Sequence, residues 1–150
     1  MNIKITSGLM LLFSLYGINI EAQSQAKSKQ PASSHSIILE QVLKEKGFDH
    51  KSVEIMIVDF PPMAVSAAHR HPCPTFGYLL SGELVSVFEG KSHTYKAGDS
   101  FYEVPEGLHN ITRNPSPTVP AKLLAFFIKD TDGTTVIPEK TVINYSNKGQ

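Results

Sequence analysis

The sequence predicts an all-β domain, and two observations support this class. Ten prolines and ten glycines are spread through 150 residues that are rich in Val, Ile, Phe and Tyr, which is the composition of short strands separated by turns. Turn signals recur roughly every eight to twelve residues in the second half of the chain, a spacing that is typical of a β-sandwich or β-barrel. The length suits one domain with a real core.

The charge balance excludes several kinds of partner. Lys plus Arg and Asp plus Glu each number 14, so the net charge is zero with histidine neutral. A basic patch for nucleic acid or for an anionic membrane surface is therefore not expected. We expect a small-molecule ligand or substrate as the partner, and allow a homodimer.

The N-terminus resembles a secretory signal. Lys4 precedes a mostly apolar run over residues 5–20, and the small residue Ala22 stands before a polar segment. This pattern predicts a signal peptide over residues 1–22. An uncleaved transmembrane anchor is the alternative, but the run is short of the roughly 20 apolar residues that a spanning helix needs. We expect export to the periplasm or the medium, without membrane contact after cleavage.

The next segments lead into the domain. Residues 23–36 are rich in Ser, Lys and Gln and are predicted to form a flexible linker, so that the single domain occupies residues 37–150. Residues 37–44 carry apolar side chains four positions apart. This spacing predicts a short helix that ends at Gly47, with an edge strand as the alternative.

Seven later segments are predicted as strands. Each contains β-branched or aromatic residues and lies between turn residues; they are Val53–Phe60, Phe76–Leu80, Leu84–Phe88, Ser92–Lys96, Phe101–Val104, His109–Arg113 and Lys122–Lys129. The short connections, such as Ser81-Gly82 and Glu89-Gly90, predict a meander of antiparallel hairpins.

Two histidines one residue apart are the strongest chemical signal in the chain. His69 and His71 share one face of an extended segment, because alternate side chains of a strand point the same way. A divalent transition metal is the economical explanation for such a pair. Cys73 is the only cysteine, which excludes an intramolecular disulfide. It is either a soft metal ligand or a plain loop residue between two prolines.

Four short stretches carry a resemblance to a known family. His69-x-His71, Tyr78-Leu79-Leu80-Ser81-Gly82-Glu83-Leu84, Ala97-Gly98-Asp99 and Pro105-x-Gly107-x-His109 resemble the two motifs of the cupin superfamily. The similarity spans residues 55–129. It implies a jelly-roll β-barrel. Cupins include dioxygenases, isomerases, lyases, sugar-binding proteins and storage proteins, so that the fold alone does not give the activity.

The resemblance also implies a set of metal ligands. Family members hold a divalent metal inside the barrel through histidines that correspond to His69, His71 and His109. A glutamate of the first motif should follow His71 by about four residues, where this chain has Thr75, which is not a comparable anionic ligand. The glycine that opens the family's first motif is Met63 here.

Glu103 is a candidate replacement for the absent glutamate. If residues 105–107 connect two antiparallel strands, Glu103 lies across from His109, with Cβ atoms about 5 Å apart. The stretch Phe101-Tyr102-Glu103 also resembles a group of small bacterial cupins that lack the usual glutamate. Glu103 is then either a metal ligand or a hydrogen-bond acceptor for a ligand histidine.

These expectations combine into a functional hypothesis. The site of His69, His71, His109 and Glu103 would bind Fe, Mn, Ni or Zn and act on a small oxygen-bearing substrate, as a dioxygenase, isomerase or lyase. The substrate pocket is expected to include Thr75, Phe76, Tyr78 and Phe101. The alternatives are a non-catalytic module for a carboxylate or sugar and a structural barrel with a vestigial site. No catalytic residue is assigned from the sequence.

Overall fold

The computed structural model of the protein describes residues 30–139, which form eleven β-strands and no helix. The strands are β1 (Ser34–Val42), β2 (Lys51–Phe60), β3 (Val65–Ser66), β4 (His69–Arg70), β5 (Thr75–Ser81), β6 (Glu83–Phe88), β7 (Lys91–Lys96), β8 (Ser100–Glu103), β9 (Leu108–Arg113), β10 (Ala121–Asp130) and β11 (Ile137–Pro138). The proposed signal peptide, residues 1–22, lies outside the described residues. In the described part, no helix has the length and apolarity to cross a membrane.

Two antiparallel sheets face each other. One has the order β1-β2-β10-β5-β8, and the other has the order β11-β4-β9-β6-β7, with β3 paired to β9. Side chains alternate along the two longest strands, so that Met56 and Phe60 of β2, with Ala125 and Phe127 of β10, are buried between the sheets. The inner faces enclose a cavity of about 490 Å³. The prediction of an all-β jelly-roll is confirmed.

The first strand corrects the predicted helix over residues 37–44. β1 pairs with β2 from Ser34 opposite Asp59 to Val42 opposite Ser52, with a bulge after Ile37. Residues four apart share a face in a strand as well as in a helix, so the apolar spacing did not discriminate between them. The strand also begins three residues before the domain boundary expected at residue 37, which removes residues 34–36 from the linker.

The predicted meander is correct for one hairpin and wrong where the chain crosses from one sheet to the other. β6 and β7 pair around Glu89-Gly90, whereas β5 pairs with β10 and β8 rather than with β6. Gly82 turns the chain from one sheet into the other with a φ of 77°, and a Cβ there would lie 2.6 Å from the Pro120 carbonyl oxygen. The connection 105–107 likewise joins β8 and β9 in opposite sheets.

Met63 occupies a conformation that favours glycine. Its φ is 62°, in the left-handed region that side chains with a Cβ rarely adopt. The Met63 N–H donates to the Ser116 carbonyl at 3.0 Å, and the side chain is half exposed. The turn before the histidines therefore keeps the backbone shape of a glycine turn although the glycine is absent.

Candidate metal centre

Three histidine side chains converge in the interior. His69 lies on β4 opposite His109 on β9, and His71 follows β4 directly. The Nε2 atom of His69 is 3.2 Å from Nε2 of His71 and 3.3 Å from Nδ1 of His109. One nitrogen of each ring lies within 4.8 Å of the others. The prediction that these histidines form one cluster is confirmed, and its geometry is consistent with a metal site.

The hydrogen bonds of two rings direct their lone pairs at each other. The Nδ1 atom of His69 is 2.8 Å from the Ala67 carbonyl oxygen, and Nδ1 of His71 is 2.6 Å from the Thr135 carbonyl oxygen. Carbonyls only accept, so both Nδ1 atoms carry the proton and both Nε2 atoms present lone pairs. Burial, with the adjacent His69, lowers the pKa of His71 to about 4 despite the Thr135 bond. A shared metal ion would satisfy these facing acceptors.

The third ring is held by two hydroxyl groups. The Nε2 atom of His109 is 2.9 Å from Ser86 Oγ and 2.9 Å from Thr112 Oγ1. If Nε2–H donates to either hydroxyl, the Nδ1 lone pair faces the cluster. Burial and the neighbouring histidines lower the pKa of His109 to about 3, which keeps the ring neutral. Nothing in the sequence marked Ser86 or Thr112.

Glu103 places a carboxylate beside the imidazoles. It is 4% exposed, with Oε1 3.4 Å from His109 Nε2 and Oε2 3.8 Å from His71 Nε2. Within residues 30–139, Oε2 is buried without a hydrogen-bond partner, and burial raises the pKa of Glu103 to about 7. A buried carboxylate oxygen without a donor is unfavourable unless a cation lies nearby. The donor set therefore fits a divalent metal.

The route by which Glu103 reaches the site differs from the expected one. β8 and β9 belong to opposite sheets, so Glu103 faces His109 across the interior and is not its cross-strand neighbour. The actual neighbour of Glu103 is Thr75 on β5. Thr75 is buried, and its hydroxyl donates to the Cys73 carbonyl at 3.1 Å. The position expected for the family's glutamate and the carboxylate of this chain are thus adjacent.

The predicted pocket residues divide between the two faces of β5. Thr75 and Phe101 border the cavity, where Phe101 packs over Gly77, the residue opposite it on β5. Tyr78 is 45% exposed on the outer face and does not line this cavity. Phe76 borders the cavity, but its ring packs outside against Tyr102 at a centroid distance of 5.1 Å. The two-residue period of the strand causes this division.

Other residues of the cavity wall and its surroundings differ from their sequence interpretation. His35, expected in the linker, lies on β1 and lines the cavity. Cys73 is buried in the loop before β5, in an apolar cluster with Met56, Ala125 and Phe127, and it is not part of the histidine group. Cys73 is therefore a packed loop residue.

A buried ion pair secures the loop that orients His71. Lys129 Nζ lies 3.6 Å from Glu54 and 3.0 Å from Glu40, and it donates to the Gly133 carbonyl at 3.2 Å. The Thr135 hydroxyl donates to Glu54 at 3.5 Å. Because the Thr135 carbonyl accepts from His71, the ion pair and the histidine cluster are connected through one loop.

Comparison with known proteins gives a family match. Residues 56–127 match the Cupin_2 family, described as a cupin domain. This span includes all three histidines and Glu103. No curated protein matches the chain.

Solved structures with the same fold support this match. A cupin domain from Bordetella pertussis Tohama I is 25% identical, with coverage of 67% of this chain and 97% of that one and a TM-score of 0.50. A cupin 2 domain-containing protein from Halorhodospira halophila is 14% identical, with coverage of 78% and 77% and a TM-score of 0.57. A recombinant oxalate oxidase in complex with glycolate is 21% identical, with coverage of 73% and 56% and a TM-score of 0.53. Together with the two-sheet fold, these matches show that the chain belongs to the cupin superfamily and carries a Cupin_2 domain.

Proposed function

We propose that the protein is a metalloenzyme that binds one divalent transition metal, Fe, Mn, Ni or Zn, through His69, His71 and His109, with Glu103 as a fourth group. One observation carries this proposal. The Nε2 atoms of His69 and His71 lie 3.2 Å apart while both Nδ1 atoms are bound to backbone carbonyls. Three imidazoles and a carboxylate form a donor set suited to these metals.

The residues around the site supply the remaining functions. When bound, the metal would act as a Lewis acid toward an oxygen atom of the substrate. Glu103 lies beside the imidazoles of His71 and His109, so its carboxyl group is placed to exchange a proton with a substrate at this site. Phe127, whose ring centroid is 5.2 Å from that of His71, and Phe88, 6.1 Å from His109, shield the rings from water.

A second candidate function is ligand binding without turnover. Glu103 is the one carboxyl group among the described residues that line the cavity. Its use as a metal ligand would remove it as a proton acceptor, and the centre would then orient an oxygen-bearing ligand only. Incubation of the metal-loaded protein with small oxygen-bearing acids, followed by mass spectrometry, separates the two functions. Conversion of a substrate supports the enzyme, and recovery of unchanged bound ligand supports the binding module.

Metal analysis tests the proposal directly. Purified protein should contain close to one transition-metal ion per chain, and a double variant, His71→Ala with His109→Ala, should contain none, because one remaining imidazole binds weakly. His93→Ala is the matched control, since His93 is exposed on β7. Equal metal content in the double variant and the control would contradict a metal centre and favour a structural barrel.

We also propose that the protein is exported and acts in the periplasm or outside the cell. The support is the charged start, the apolar run and the small residue Ala22 near the N-terminus. A small molecule remains the proposed partner.

A further inference from the structure

We propose that the ligand of this cavity has one oxygen-bearing head group and an apolar body, and that it is neither a sugar nor a polyanion. The inference deepens the proposed function, because the head group is assigned to the metal centre. The apolar body is argued separately, from the cavity walls. These two parts can therefore fail independently.

The walls beyond the histidines are predominantly apolar. They are formed by inward-facing residues of both sheets, namely Met56, Val58, Leu84, Leu123, Ala125 and Phe127. Each methylene group that such walls remove from water strengthens binding about fourfold. A ligand with a hydrocarbon or aromatic body would gain from this surface, whereas a hydroxylated ligand would lose hydrogen bonds to water.

The cavity does not offer partners for a second charge. Among the described residues that line it, none is Lys or Arg, and Glu103 is the only acidic one. Proteins recognise polyanions with Arg or Lys, often in bidentate pairs. A second carboxylate or a phosphate on the ligand would therefore be buried against apolar groups without a cation.

Four hydroxyl groups of the cavity wall already make hydrogen bonds within the protein. Ser86 and Thr112 hold the His109 ring, and the Thr75 hydroxyl donates to a backbone carbonyl. The Thr135 hydroxyl donates to Glu54. A sugar needs many free donors and acceptors around its ring, and this wall supplies few.

The size of the cavity sets the scale of the apolar body. A dry cavity of about 150 Å³ holds benzene, and this cavity measures about 490 Å³. The volume also falls in the range of small-molecule pockets. The cavity therefore has room for a body larger than a single six-membered ring.

A carboxylate series tests the inference by calorimetry. Acetate, butanoate, hexanoate and octanoate are titrated into metal-loaded and metal-free protein. Affinity should rise with chain length by about fourfold per methylene until the cavity is full. Pentanoate and glutarate form a matched pair that differs in a second carboxylate, and glutarate should bind at least about tenfold more weakly. Affinity that does not rise with length, or glutarate that binds as well as pentanoate, would overturn the proposal.

Two wall variants place the effect in this cavity. Ala125→Leu should lower hexanoate affinity and leave metal content unchanged, while Leu123→Ala should move the best chain length upward. Phe126→Leu, on the outer face of the same strand, is the control and should change neither. The same length dependence in all three variants would contradict the assigned cavity. Metal-free protein could bind the carboxylates as tightly as metal-loaded protein, with affinity that still rises with chain length. This result would refute the assignment of the head group to the metal and leave the apolar part of the proposal standing.

Discussion

Glu103 stands directly opposite Thr75 in the antiparallel ladder between β8 and β5. Directly opposed residues of a ladder have Cβ atoms about 5 Å apart. The carboxylate therefore enters the interior from the strand next to the position at which the family resemblance placed a glutamate. One anionic group can thus be provided by either of two neighbouring strands.

Glu103→Gln should weaken metal binding. The amide keeps the shape of the side chain and removes its charge, so affinity should fall ~10 to 100-fold if Glu103 bonds the ligand histidines, and further if it binds the metal itself. Competition with a chelator measures the loss. The swap of Thr75→Glu with Glu103→Thr should restore most of the affinity, since the carboxylate returns from the adjacent strand. Unchanged affinity in Glu103→Gln would contradict a role at the metal.

The metal-free protein should lose stability as pH falls from 6.5 to 4.5. Burial lowers the pKa values of His71 and His109 from 6.5 to about 4 and about 3, so the unfolded chain binds two more protons in this range. The pKa of Glu103 rises from 4.5 to about 7, so the folded protein binds one more. The net difference of one proton predicts a loss of about 1.4 kcal/mol per pH unit in the free energy of unfolding.

Urea unfolding of metal-free protein at several pH values measures this slope. Glu103→Gln removes the carboxyl group that binds one more proton in the folded protein than in the unfolded chain. The free energy of unfolding of this variant should therefore fall about twice as steeply with pH. A flat profile in the unsubstituted protein, or equal slopes in the two proteins, would contradict the assigned protonation states.

Lys129→Met should destabilise the fold and weaken metal binding together. It leaves Glu54 buried without its cation, which costs ~3 to 5 kcal/mol, and it releases the Gly133 carbonyl that fixes the loop before Thr135. Lys51→Met is the matched control on the neighbouring strand, because the Lys51 pair with Asp130 is exposed and contributes little. Urea unfolding and chelator competition are the measurements. Equal behaviour of the two variants would show that the buried pair does not support the site.

Met63→Gly should make the protein more stable than Met63→Ala. A residue with a Cβ in the left-handed region costs ~1 to 2 kcal/mol of strain, which glycine removes. Glycine in turn loses ~0.5 to 1 kcal/mol of stability, because it makes the unfolded chain more flexible. Both variants remove the same half-exposed side chain, so their difference reports the backbone alone. Thermal unfolding measures it. A glycine variant with the lower midpoint would refute the argument.

Expression of the full sequence in a Gram-negative host should yield a protein that begins near Gln23. The charged start and apolar run are expected to direct export, with cleavage after Ala22. Intact-mass measurement of the periplasmic fraction locates the new N-terminus. A charge within the apolar run, as in Leu11→Arg, should block processing. An uncleaved protein in the cytoplasm would contradict the signal.

The strands could be located from the sequence, but their partners could not. Alternation and turn residues identified β2, β5, β10 and four others to within two residues at each end, because these signals are local. Pairing depends on residues far apart in the chain, so the Ser81-Gly82 corner resembled a hairpin. The exposed strand β1 has no buried face, and its pattern therefore suited a helix equally.

The site was predictable to the extent that its residues are linked by short spacing. His69 and His71 share a face because they are two residues apart, and the family resemblance added His109. Glu103 was placed near the cluster through a pairing that the structure does not contain. Ser86 could not be found from the sequence, because its contact with His109 spans 23 residues and two strands. Tyr78 lies three residues after Thr75, so the alternation of side chains along a strand would have placed it on the opposite face.

The bond between His71 and the Thr135 carbonyl spans 64 residues of chain. A ribosome that has synthesised the chain as far as residue 130 has already made the four side chains proposed to hold a metal, but not the acceptor that fixes the His71 ring. The ring of His71 is therefore fixed only after the loop that contains Thr135 has been made and folded. At the proposed metal centre, tight binding would therefore follow the folding of this loop and not precede it.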